Sequence, residues 1–136
     1  MGEPFLLLID ENPDDVYLML RELRRLEPHL RVHVITDSAV ALSYLRETNE
    51  LPAALLLGLK FIRLSGLELL AEIRSLEQTR NLPVVMLTAG REERERVCRE
   101  VTGSKPVACL NKPLDRGLVA STLDALGIRV VPALAG

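Results

Sequence analysis

The sequence predicts a three-layer α/β fold, in which a doubly wound, five-stranded parallel sheet lies between two layers of helices. Three observations predict it. Five short apolar runs are spaced along the chain, and five stretches with apolar residues at helical spacing alternate with them. The connections are a few residues long and rich in Pro, Gly, Asn and Asp. Strands alternating with helices close most simply as right-handed crossovers onto one parallel sheet.

Each element has its own justification. Phe5-Leu6-Leu7-Leu8-Ile9 is apolar throughout, as a central strand covered on both faces must be. Pro13 cannot continue that strand and suits the first turn of a helix. Val16, Leu18, Met19, Leu20, Leu23 and Leu26 then recur at helical period. Asp14 and Asp15 fall in that helix's first turn and Arg24 and Arg25 near its end, matching the helix dipole. Arg31 to Thr36 is a second strand. Asp37 or Ser38 caps a helix over Ala39 to Leu45. Ala54 to Leu59 is the third strand, followed by a loop over Lys60 to Ser65 and a helix from about Gly66. Val84 to Thr88 is the fourth strand, and Arg91 to Val101 a charged helix with few apolar positions. Glu92–Arg96, Glu95–Arg99 and Arg96–Glu100 are its expected ion pairs. Val107 to Asn111 is the fifth strand, and Asp115 to Leu126 the last helix, ending at Gly127. The expected domain is 1–127, with an apolar tail at 128–136 that either frays or packs on a partner.

Composition narrows the function. The chain has 136 residues, 48% of them hydrophobic, enough for one core, but only 3% are aromatic and none is Trp. A net charge of -2 with both signs interspersed gives no electrostatic case for nucleic acid or a membrane surface. The longest apolar run, 52–59, is far short of the roughly 20 residues that span a bilayer. Met1-Gly2-Glu3-Pro4 carries no basic leader and no acylation pattern, so a cytoplasmic location is expected. Cys98 and Cys109 lack metal-ligand spacing and are expected as reduced thiols. His29 and His33 have no metal-like company.

Ligands of a doubly wound sheet bind beyond the carboxyl ends of its strands. The polar residues there are Asp10 and Glu11, Thr88 and Lys112, with Gly58 near the end of the third strand. Adjacent carboxylates suit a hard cation such as Mg²⁺. Thr88 can donate to a phosphoryl oxygen and Lys112 can neutralise one.

Taken in order, these residues resemble the receiver domain of two-component response regulators, over about residues 5 to 126. Leu8-Ile9-Asp10-Glu11-Asn12-Pro13-Asp14-Asp15 is similar to the family's acidic motif, Leu87-Thr88-Ala89 to its switch threonine, and Asn111-Lys112-Pro113 to its Lys-Pro. The Asn-Pro-Asp-Asp start and Thr79-Arg80-Asn81-Leu82-Pro83-Val84 are most similar to small stand-alone receivers, including those paired with bacterial phytochromes. The resemblance implies a flavodoxin-like sheet of strand order 2-1-3-4-5 and a role in phosphorelay signalling rather than an enzymatic one. It implies a histidine kinase, a phytochrome-type sensor or another regulator as partner. It also implies a homodimer through the tail or the face of the fourth helix, fifth strand and fifth helix.

The departures from the family pattern are as informative. Its phospho-accepting aspartate falls on Gly58, its usual loop proline on Ile62, an acid often found before the loop's glycine on Ser65, and its switch aromatic on Cys109. Glycine cannot be a nucleophile, so no catalytic residue is expected and the chain resembles a degenerate, or pseudo-, receiver. Asp10, Glu11, Gly58, Thr88 and Lys112 are then a vestigial phosphorylation pocket, with Thr88 and Cys109 at the switch positions. The metal candidates are Asp10, Glu11 and the Lys60 carbonyl, and with one carboxylate missing they are expected to bind Mg²⁺ weakly or not at all. Lys112, lacking its usual partner, is expected to contact Asp10 or Glu11 and shut the pocket. The alternatives are a receiver that accepts phosphate on Ser65 or Glu11, and a small Mg²⁺-dependent hydrolase with Asp10 as nucleophile. The hydrolase has neither a second catalytic acid nor room for a cap domain.

Overall fold

A computed structural model describes residues 4–128. Eleven elements run in the order β1 (Phe5–Ile9), α1 (Pro13–Leu26), β2 (Arg31–Ile35), α2 (Ser38–Glu47), β3 (Ala54–Leu57), α3 (Gly66–Ser75), a single 3₁₀ turn (Glu77–Thr79), β4 (Val84–Thr88), α4 (Arg91–Glu100), β5 (Val107–Asn111) and α5 (Arg116–Ala125). The strands form one parallel sheet in the order β2-β1-β3-β4-β5. This is the expected three-layer doubly wound, flavodoxin-like fold.

The continuous apolar runs of β1, β3 and β4 resolve into two cores. Leu7, Ile9, Leu55, Leu57 and Met86 point to one face and pack under α2, α3 and α4. Leu6, Leu8, Leu56, Val85 and Leu87 point to the other and pack under α1 and α5. Successive side chains of a strand face opposite ways, so only a strand buried on both sides reads as unbroken hydrophobe. Edge strand β2 is only partly covered.

Helix starts follow from local chemistry. The Asn12 carboxamide accepts the Asp14 and Asp15 amides, Asp37 caps α2, and Asp115 caps α5. Ser65 and Glu68 form a reciprocal capping box on α3. The caps at Asn12 and Ser65 fix where the loops at the carboxyl edge of the sheet turn.

Three details differ from expectation. β3 ends at Leu57, two residues early: the Gly58 amide still pairs with the Ile9 carbonyl at 2.8 Å, and the chain then turns away. The 3₁₀ turn had no periodic signal, being too short to show one. On α4 the ion pairs among the described residues are Arg91–Glu95 at 3.2 Å and Arg96–Glu93 at 4.0 Å, not the three expected. Glu93 turns inward to accept the Ala89 amide at 2.8 Å, and Arg94 reaches the Cys109 carbonyl at 3.2 Å. Glu95 is taken by Arg91 and Arg96 by Glu93, and exposed helical pairs are weak enough for such alternatives to displace one another. The expected tail at 128–136 lies outside the described residues except for Ile128, which packs on the α1/α5 core.

Candidate functional site

The carboxyl ends of β1, β3, β4 and β5 border an open cleft of about 830 Å³. Asp10, Glu11, Asp14, Asp15, Lys60, Glu93 and Lys112 line it, with Leu18, Met19 and Leu87 beneath. The convergence follows from the sheet order, since β1 sits between β2 and β3 and the chain doubles back at that point.

Lys112 lies at the centre. Its ammonium donates to Asp10 Oδ2 at 3.0 Å and to Asp15 Oδ2 at 2.7 Å. Asp10 is 4% exposed, and its other oxygen accepts the Asn12 amide at 2.9 Å. Burial pulls the Lys112 pKa down, but the hydrogen bonds and charges of Asp15 and Asp10 outweigh it and hold the ammonium above its ordinary range. The expected contact with Asp10 is present. Asp15, in the first turn of α1 and at the end of the acidic stretch, is an additional partner not expected from the sequence. Its signal was available: one helical turn separates it from Asn12, the residue at the mouth of the β1 loop.

Glu11 is not part of this ion cluster. Its Oε2 accepts the Ile62 amide at 3.1 Å, which anchors the loop after β3 and leaves the Ile62 side chain 88% exposed. The Ser38 hydroxyl similarly accepts the Leu64 amide at 3.1 Å. Thr88 is fully buried and does not line the cleft; its hydroxyl donates to Asn111 Oδ1 at 2.6 Å, with the Leu110 carbonyl at 3.2 Å as second acceptor. Cys109 is buried, and burial, then the neighbouring Cys98 thiol, push its pKa up to about 12. The Lys112–Pro113 bond is cis.

Gly58 stands hard against Asp10. A Cβ placed there would lie 3.0 Å from Asp10 Oδ2 and 3.2 Å from the Asp10 carboxyl carbon. Gly66 is packed closer still, since a Cβ there would overlap the Gly58 carbonyl oxygen and meet Leu59 Cα at 2.9 Å. The two glycines let α3 start directly against the end of β3, with the Gly66 amide bonded to the Leu59 carbonyl at 2.8 Å. The site therefore pairs one buried carboxylate and one half-buried carboxylate with one cation. No carboxylate stands at position 58, and Ser65 accepts the Glu68 amide at 3.1 Å as a helix cap.

Comparison with known proteins agrees with this architecture. A curated relative, a probable methanogenesis regulatory protein (FilR2) of Methanothrix harundinacea, is 35% identical over 91 residues, spanning 63% of this chain and 59% of that protein. Among solved structures, the bacteriophytochrome response regulator AtBRR superposes with a TM-score of 0.83 at 32% identity, covering 93% of this chain and 95% of its own. The bacteriophytochrome response regulator RtBRR superposes with a TM-score of 0.81 at 35% identity, covering 94% and 80%. The response regulator receiver domain profile matches residues 6–124, from inside β1 to the end of α5. With the strand order, the acid-bearing β1 loop and the Lys-Pro after β5 all in register with that match, the chain belongs to the response regulator receiver domain family.

Proposed function

We propose that this receiver domain works in two-component signalling without phosphorylation at the usual position, through binding to a protein partner. The observation that carries the proposal is the Lys112 ammonium held between Asp10 and Asp15 beside Gly58. The cleft contains its own cation and lacks the carboxylate that would take a phosphoryl group. Phosphorylation at that position is then not available to switch it, and its output depends on concentration and on the state of its partner. It is a signalling module and not an enzyme. Among the described residues no helix is long and apolar enough to cross a membrane.

The donor set does not fit a resident Mg²⁺. Asp10 is spent on Lys112 and Asn12, Glu11 on Ile62, and position 58 offers only backbone. Among the described residues no three His, Cys, Asp or Glu side chains are grouped as a metal site. The neighbouring acceptors fare no better, since Ser65 caps α3 and Glu11 anchors the β3–α3 loop.

The partner we propose is a histidine kinase, a phytochrome-type sensor or another regulator. Two of the structural relatives being bacteriophytochrome response regulators supports the phytochrome-type sensor. Homodimerisation through α4, β5 and α5 is proposed with it; light scattering at increasing concentration tests it, and a monomer throughout excludes it. The decisive experiment is incubation with acetyl phosphate and Mg²⁺, followed by intact mass measurement. The expected result is an unmodified chain. A stable acyl or ester phosphate on Glu11 or Ser65 would overturn the proposal.

A further inference from the structure

We propose that Cys98 and Cys109 form a dithiol site that hydroperoxides convert to an intramolecular disulfide. The two residues come from different elements, α4 and β5, and meet in the same core cluster, where Cys109 is buried and Cys98 half-buried. Arg94 fixes their approach. Its guanidinium donates to the Cys109 carbonyl at 3.2 Å, and Cys98 follows Arg94 by one helical turn, so both lie on the face of α4 that covers β5. The Cys98 thiol is near enough to the Cys109 thiol to help raise its pKa. Neither residue lines the cleft at Lys112.

The chemistry divides the two roles by exposure. Burial and the Cys98 thiol keep Cys109 protonated, whereas the Arg94 charge opposes them more weakly. The more exposed Cys98 is therefore the first to react. Its thiolate sulfur attacks the terminal peroxide oxygen, the O–O bond breaks, and the released hydroxide or alkoxide takes a proton. Cys98 is left as a sulfenic acid. The Cys109 sulfur then attacks the Cys98 sulfur, and the departing hydroxyl leaves as water with the Cys109 proton. Two thiols and one hydrogen peroxide thus give one disulfide and two waters. The sulfurs lose two electrons and the peroxide gains them. The new bond ties the middle of α4 to β5 beside the Arg94 contact.

The test uses the full chain, reduced and then exposed to excess hydrogen peroxide before alkylation and intact mass measurement. Arg99 lies between the two cysteines, so trypsin separates them and a disulfide joins two otherwise distinct peptides. The expected result is a mass loss of two hydrogens, simultaneous loss of both thiols, a cross-linked peptide pair, and full reversal by dithiothreitol. In Cys98→Ser the remaining Cys109 thiol is expected to persist, because it is buried. Oxygen additions without the cross-link, disulfide-linked dimers, or two surviving thiols under conditions that oxidise a free thiol peptide would each overturn the proposal.

Discussion

The Lys112 ammonium is closer to Asp15 Oδ2, at 2.7 Å, than to Asp10 Oδ2, at 3.0 Å. Asp15 comes from the first turn of α1 and Asp10 from the end of β1, so a single side chain after β5 cross-links a central strand, the loop that follows it and a helix. The two carboxylates differ in surroundings: Asp10 is almost fully enclosed, whereas Asp15 retains about a third of its exposure. The energetic burden of the cluster therefore falls on the Asp10 pair, and the geometric bracing on Asp15.

Lys112→Met removes the cation and leaves the buried Asp10 carboxylate without a countercharge, held only by the Asn12 amide. Breaking one side of such a pair costs about 3 kcal/mol. Asp15→Asn removes a charge that water can replace and should cost about 1 kcal/mol. Urea unfolding at neutral pH measures both. Equal effects, or no loss for Lys112→Met, would show that Asp10 does not depend on Lys112.

Stability is expected to fall at alkaline pH in two overlapping stages. The folded Cys109 pKa is raised from 9.0 to about 12, so the folded state binds more protons than the unfolded one between those values. Its contribution is complete below pH 9.0 and is lost as pH rises toward about 12. Lys112 is also raised, from 10.5, so its contribution is complete below that value and is lost through the higher folded pKa. Denaturation midpoints from pH 8 upward, with Cys109→Ala and Lys112→Met as references, check this; a wild-type midpoint flat to pH 11 contradicts it.

Gly66→Ala should be among the most damaging small substitutions in the chain. The added methyl would collide with the Gly58 carbonyl and Leu59 Cα, which are backbone and cannot swing aside. A cost of about 3 kcal/mol follows from forced backbone movement. Gly58→Asp is milder, about 1–2 kcal/mol, because the atoms it crowds belong to the Asp10 carboxylate, which has some freedom to move. Thermal melts of the two variants should rank in that order.

Arg74→Lys tests a second anchor, away from the cleft. The Arg74 guanidinium donates to the carbonyls of Ser104 at 2.7 Å, Leu82 at 2.7 Å and Pro106 at 2.9 Å, tying the end of α3 to the loops entering β4 and β5. A lysine ammonium cannot reach three carbonyls spread around a planar fork. The loss is expected at about 2 kcal/mol, with faster amide exchange around residues 104–107. Unchanged exchange there would show that the loops are held by other contacts.

The fold was legible in the sequence because its cause is local and repeated. Continuous apolar runs mark the strands and period-3.6 patterns the helices, with Asp37 marking the start of α2. Asp10, Gly58 and Lys112 were legible as a group because strand ends converge in any doubly wound sheet. What the sequence by itself determined is the set of elements, their order and the charged residues available at one edge. Tertiary structure alone decided which of those residues meet. Asp10 and Glu11 are neighbours in the chain, yet Asp10 takes Lys112 while Glu11 takes the Ile62 amide. Thr88 turns to Asn111, and Asp15 enters from the next helix. Side-chain direction and loop path set these pairings, and both depend on contacts up to about a hundred residues apart, which no local pattern records.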